Sequence, residues 1–123
     1  MESKFNKQEK RVLRQRIGNL LSKATDLLQK WRDRSTRGFH KAIYTQRTAR
    51  VLREICSQGA ANAERLRRNA EIALCLLKVG KSNECLAVLV LCGEALAFDA
   101  AAELIGREIL QSQHREETNA CRN

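Results

Sequence analysis

The chain has 123 residues, no proline, 4% aromatic residues and a formal net charge of +9. That length supports one domain, whose core buries only about two-thirds of its unfolded surface. Ala, Leu, Arg, Glu, Lys and Gln dominate, so nearly every window favours helix and all-α is the fold class that fits.

Charge is segregated along the chain. Residues 1–70 carry 18 Lys and Arg against 6 Asp and Glu, whereas residues 71–123 carry 5 against 8. The expected organisation is a basic helical arm over 1–60, an apolar helical bundle over 61–113 and a polar tail over 114–123. Four or five helices are predicted in all.

From Leu13 the apolar residues Leu13, Ile17, Leu20, Ala24, Leu27 and Trp31 alternate steps of four and three. This seam predicts a long first helix over about 6–33, with Gly18 marking a close helix contact. Asp33 to Gly38 lacks a periodic apolar residue and reads as the connection. A second helix is predicted from Phe39 through Ile43, Val51, Leu52, Ile55 and Cys56, closed at Gly59 by a left-handed cap. The third runs from Ala61 to Val79 with Leu66, Ala70, Ala73, Leu74 and Leu77 on one face, and Gly80 ends it. Ser82 is placed as the N-cap of a helix carrying Leu86, Leu89 and Val90. A break is predicted between Leu91 and Phe98, with Asp99 as the N-terminal charge of a last helix through Leu104, Ile105, Ile109 and Leu110. The tail after Gln113 is expected to fray.

Five cysteines (Cys56, Cys75, Cys85, Cys92 and Cys121) and two histidines (His40 and His114) have neither zinc-site nor disulfide spacing. Free thiols in a reducing compartment, cytosol or nucleus, are the expectation, with Cys75, Cys85 and Cys92 assigned to the core by periodicity. The charged start of the chain lacks the apolar core of a signal peptide, and the apolar run at 85–92 is shorter than a membrane span, so a soluble protein is expected. No G-x-S-x-G, phosphate loop or H-E-x-x-H is present, which points away from an enzyme and from any cofactor or metal. A pairing of His40 with Cys56 or Cys75 is the residual catalytic option, and nothing in the sequence marks an activated thiolate.

Arg11, Arg14, Arg34, Arg37, Lys41, Arg47, Arg50 and Arg53 make a basic surface interleaved with Trp31, Phe39 and Tyr44. Three readings stay open for it. It is a solvated helix face, a surface for an acidic scaffold protein, or an RNA-binding surface on which the aromatic rings stack against bases. The seam of the first helix is likewise open between packing on its own bundle and docking a partner helix.

The segments Leu76-Leu77-Lys78-Val79-Gly80, Glu84-Cys85-Leu86-Ala87-Val88, Leu91-Cys92, Asp99-Ala100 and Leu104-Ile105 resemble, in order and spacing, the MOZART-type mitotic-spindle organizing proteins. Those are small helical subunits of gamma-tubulin complexes. The chain departs from the pattern at Gly93, where the family has an acidic residue, and at Phe98, where it has proline. It also carries a long basic N-terminal part without counterpart there. The resemblance implies an adaptor that binds the helical N-terminal extension of a gamma-tubulin complex protein through Leu77, Leu86, Leu89, Leu104 and Ile105. It also implies a cytoplasmic location at microtubule-organizing centres, centrosome or spindle pole, with the nucleus as the alternative. A basic RNA-binding protein is the competing function.

Overall fold

The computed structural model describes residues 4–39 and 44–122, with side chains as far as residue 116. It contains three helices, α1 (Lys7–Arg37), α2 (Gln46–Lys78) and α3 (Ser82–Arg122), and no strand among the described residues. The expectation of an all-α bundle holds, whereas the expected four or five helices are three.

Each start has a local cause. Asn6 caps α1: its side chain accepts the Glu9 N–H at 2.8 Å while the Glu9 carboxylate accepts the Asn6 N–H at 2.9 Å. This reciprocal box satisfies two otherwise orphaned donors. Thr45 caps α2 by accepting the Thr48 N–H at 3.2 Å. Gly38, at φ 92°, ends α1 beyond the predicted Asp33 because Arg34 and Arg37 continue the last turn and suit its negative end. Gly80, at φ 80°, closes α2 as expected, with the Lys81 N–H donating to the Leu76 carbonyl at 3.0 Å. Only glycine takes that conformation without strain, and the six-to-one bond is that of a Schellman turn.

The two internal breaks read from the sequence do not form. Gly59 lies buried in the middle of α2 and not at its end, because the Trp31 ring of α1 packs over it; a Cβ there would meet the ring at 2.4 Å. The predicted second and third helices are therefore one, and position 60/61 falls inside it. The start near Phe39 moves to Gln46, and Lys41 and Ile43 lie outside the described residues. Residues 92–97 likewise stay helical. Cys85, Cys92, Ala95, Asp99 and Ala102 are all buried, at steps of three, four and seven, so one register serves the whole of α3. Asp99 is a buried mid-helix acceptor and not an N-terminal charge. Ser82 is the first residue of α3, not its cap, and its hydroxyl accepts the Phe5 N–H at 3.2 Å. The tail continues as helix to Arg122. Among the described residues a Cβ added to Gly18 would meet nothing within 4 Å, so Gly18 marks no close contact there.

Two cross-links fix the topology. The Phe5–Ser82 bond sets the start of α1 beside the start of α3, and the Thr45 N–H donates to Gln113 Oε1 at 3.1 Å, setting the start of α2 beside the far part of α3. The helices run up, down, up. One core cluster joins Ile17, Leu20, Ala24 and Leu27 to Leu66, Ala70, Ala73 and Leu77, and to Cys85, Cys92 and Ala95. The second gathers Leu52, Cys56 and Ala102 around Trp31 and Phe39. Small residues recur at these contacts and let the backbones approach, and Gly106 does so under Phe39, where a Cβ would meet the ring at 2.5 Å.

As one unbroken helix, α3 is long and apolar enough to cross a membrane by length and composition, reaching a mean hydropathy of 1.9. The shortness of 85–92 thus no longer separates it from such a span, because the break that would bound it is absent. Only 28% of that apolar window is buried within the bundle.

Candidate functional site

The polar contacts between α1 and α3 orient everything outside them. Trp31 Nε1–H donates to Asp99 Oδ1 at 2.6 Å, and Lys30 Nζ lies 2.9 Å from Asp99 Oδ2. One turn on, the two terminal guanidinium nitrogens of Arg34 donate to the two Glu103 carboxylate oxygens, a bidentate pair. The Arg34 guanidinium also stacks 4.5 Å from the Phe39 ring centroid. On the α2 side, buried Asn62 donates from Nδ2 to the Ala95 carbonyl at 2.8 Å, and its Oδ1 has no hydrogen-bond partner among the described residues. These contacts fix the rotation of α3 about its axis.

Burial pushes the Glu103 carboxyl up, but the Arg34 hydrogen bond and the charges of Arg34, Lys30 and Arg107 outweigh it, so its pKa falls below the ordinary 4.5. A carboxylate stabilised in this way supports the fold above its unfolded pKa, and that support is lost as pH falls through the lower folded value. Thermal melts of wild type and Glu103→Gln should therefore differ at pH 7 and converge as pH falls through that lowered folded value. A difference that persists at low pH would show that the pair is not what Glu103 contributes.

With that rotation, α3 turns an apolar face outward. Leu86, Val90, Leu91, Phe98, Leu104 and Ile105 are all exposed, Val90 at 63% and Leu104 at 58%. Ala87, Ala97 and Ala101 fill the spaces between them, and Glu94 and Glu108 are the acidic residues on this stripe. Two shallow grooves border it. One, of about 330 Å³, lies against α1 and includes Leu13, Leu20, Leu86, Leu89 and Val90. The other, of about 210 Å³, lies against α2 and includes Ile55, Phe98, Ala101 and Ile105.

Of the five expected partner contacts, Leu86, Leu104 and Ile105 are on this face, and half-buried Leu89 edges the first groove. Leu77 is not on it. At 2% exposure it sits in the core, since the inner stripe of α2 runs through it. Val90, Leu91 and Phe98 are members that sequence reasoning did not assign to a partner. The signal for them was the lack of any polar side to α3, which leaves apolar residues with nothing to cover them.

The basic residues Arg11, Arg14, Arg37, Arg47, Arg50 and Arg53 are exposed, while Arg34 is consumed by Glu103 and Lys41 lies outside the described residues. Trp31 and Phe39 are fully buried, so neither can stack on a base, and the Tyr44 hydroxyl accepts the Phe39 N–H at 3.0 Å. The seam of the first helix packs on its own bundle.

Cys56, Cys85 and Cys92 are buried, and burial raises all three thiol pKa values above 9.0, which keeps them protonated at neutral pH. Cys75 is exposed and not in the core as expected, because the α2 stripe passes through Ala73 and Leu77 instead. Among the described residues no three His, Cys, Asp or Glu side chains are grouped to hold a metal ion. His40, and with it the pairing with Cys56 or Cys75, lies outside the described residues. No family model, curated protein or solved structure matches the chain.

Proposed function

We propose that the protein is a non-enzymatic helical adaptor that receives a helix on the exposed apolar face of α3. The observation that carries this reading is the uncovered stripe from Leu86 to Ile105, held outward by the Trp31–Asp99 and Arg34–Glu103 contacts behind it. Contiguous apolar surface on a small helical protein marks an interaction site, and a groove beside such a stripe suits an amphipathic helix. The family resemblance names one heterologous occupant, the helical extension of a gamma-tubulin complex protein, which would place the adaptor at microtubule-organizing centres. The resemblance assumes a turn where α3 is unbroken, so the docking reading rests on the exposed face itself. The exposed arginines of α1 and α2 supply a separate field that would steer an acidic scaffold protein toward those helices.

Affinity purification of the tagged protein from nuclease-treated extract, at moderate salt, tests this. Wild type and Arg47→Glu/Arg50→Glu/Arg53→Glu should retain gamma-tubulin complex proteins, and Leu86→Asp/Leu104→Asp should lose them while keeping its helical circular dichroism. Retention by the Leu86/Leu104 variant would sink the docking reading. Recovery only of proteins that vanish with nuclease would move the function to the arginines, and such binding should weaken steeply with salt.

A further inference from the structure

We infer that the helix received beside α3 lies in the groove between α1 and α3 and carries two acidic residues, two turns apart, on the flank that faces Arg16 and Lys23. This rests on the docking reading above and adds the partner's chemistry to it. Its basis is a difference between the two halves of the junction between α1 and α3. In the later half α1 offers Lys30 and Arg34, and α3 answers with acids. Lys30 Nζ lies 2.9 Å from Asp99 Oδ2, and Arg34 makes its bidentate pair with Glu103.

The same face of α1 carries Arg16 and Lys23 in the earlier half. Arg16, Lys23 and Lys30 follow one another at steps of seven residues, which is two turns of helix to within about 20°. At the level of Arg16 and Lys23, however, α3 presents Leu86, Leu89, Val90 and Gly93, which with Leu13 and Leu20 of α1 wall the groove of about 330 Å³. Arg16 stands on its rim, and both Arg16 and Lys23 are exposed. Among the described residues neither forms an ion pair. The Glu9 carboxylate is held by the Asn6 N–H, and exposed Asp26 pairs with neither cation. Glu94 lies one residue past Gly93, about 100° further round α3 and away from α1.

The groove is therefore apolar inside and cationic along one wall, and the anionic counterpart that Asp99 and Glu103 supply higher up is missing here. An amphipathic helix with apolar residues inward and acids toward α1 completes the pattern. Arg16 and Lys23 are about 10 Å apart along the axis, so acids seven residues apart on a helix lying along α1 meet both. Charges that flank an apolar helix seam set partner choice and orientation, as the e and g positions of coiled coils do. The acidity is one-sided, because the other flank of the incoming helix meets Glu94, where a second row of carboxylates would be repelled.

Selection from a displayed library of amphipathic helices on the full chain tests this. The inward positions are fixed as Leu and Ala, and both flanks vary among Glu, Lys and Gln. Wild type should enrich Glu at two positions seven residues apart on one flank and not on the other. Arg16→Glu/Lys23→Glu should enrich Lys at those positions, and should bind a Glu-flanked peptide selected on wild type about tenfold more weakly. Arg11→Glu/Arg14→Glu changes the net charge equally on the far side of α1 and should leave that affinity within about twofold. Gly93→Leu controls for folding. A Cβ at Gly93 meets nothing within 4 Å among the described residues and leucine favours helix, so this variant should melt no lower than wild type while its side chain fills the groove and blocks the selected peptides. Glu enriched equally on both flanks, or still enriched by the Arg16/Lys23 variant, would reduce the preference to net charge and overturn the inference. Full binding by Gly93→Leu, or no enrichment at all, would also overturn it; a doubled mass in light scattering would then assign the groove to a second copy, and adsorption to anionic vesicles to lipid. If the inference fails, loss of gamma-tubulin complex proteins by the Leu86/Leu104 variant still upholds docking of a helix on α3, and their retention removes both readings.

Discussion

Replacing Gly59 by alanine is expected to destabilise the protein, although alanine is the better helix former by about 1 kcal/mol. The added Cβ would lie 2.4 Å from the Trp31 ring, closer than carbon atoms approach, so either the ring or α2 must move. The ring is not free to yield: it is fully buried, and its Nε1–H is held by Asp99 at 2.6 Å. Overpacking of this kind costs about 1–3 kcal/mol, and rigid surroundings push it to the upper end, so a net loss of about 2 kcal/mol is expected. Gly59→Leu should prevent α1 from docking at all. The decisive control is the same glycine substitution in a Trp31→Leu background, where the smaller side chain leaves room. There Gly59→Ala should be close to neutral or stabilising, since residues in direct contact are coupled. Chemical denaturation of the four proteins measures the coupling. Equal costs of Gly59→Ala in both backgrounds would show that the Trp31 contact does not set the α1–α2 approach.

Gly59 also shows why the sequence divides too often. A glycine after an apolar stripe serves equally as a helix cap or as a place where another helix comes close, and the residues on either side do not distinguish them. The deciding partner, Trp31, lies in another helix. Gly80 was legible because periodicity stops there as well, and the Trp31 seam was legible because steps of three and four run unbroken over α1. At 92–97 no proline or polar cluster enforces a turn; Asp99 reads as the start of a new helix only while its partners Lys30 and Trp31 are unknown. The same limit applies to the docking face. Because α3 is apolar on nearly every side, its pattern cannot say which residues face the core, so Val90 and Phe98 did not stand out, while Leu77 of α2 entered only through the family resemblance. Exposure was decided by the polar pairs Trp31–Asp99 and Arg34–Glu103, formed across about 70 residues of chain.

Asp99→Ala is expected to cost about 2–4 kcal/mol, most of it through Trp31 and little through Lys30. The ordering follows from exposure. Without Asp99 the indole N–H of Trp31 is left buried with no acceptor, whereas the Lys30 side chain, 25% exposed, can turn its ammonium to water. Lys30→Ala should therefore cost less than about 1 kcal/mol, because a partly solvated ion pair contributes little. Asp99→Asn should fall between the two, since an amide oxygen still accepts the indole proton but no longer neutralises Lys30. The same substitution has a consequence for the docking face. If Asp99 fixes the rotation of α3, its loss should loosen the outward stripe as well as the core, so hydrogen exchange should rise along residues 95–105 more than along the Leu66–Leu77 part of α2. Uniform acceleration through all three helices would instead mean that Asp99 supports global stability without orienting the face that α3 presents.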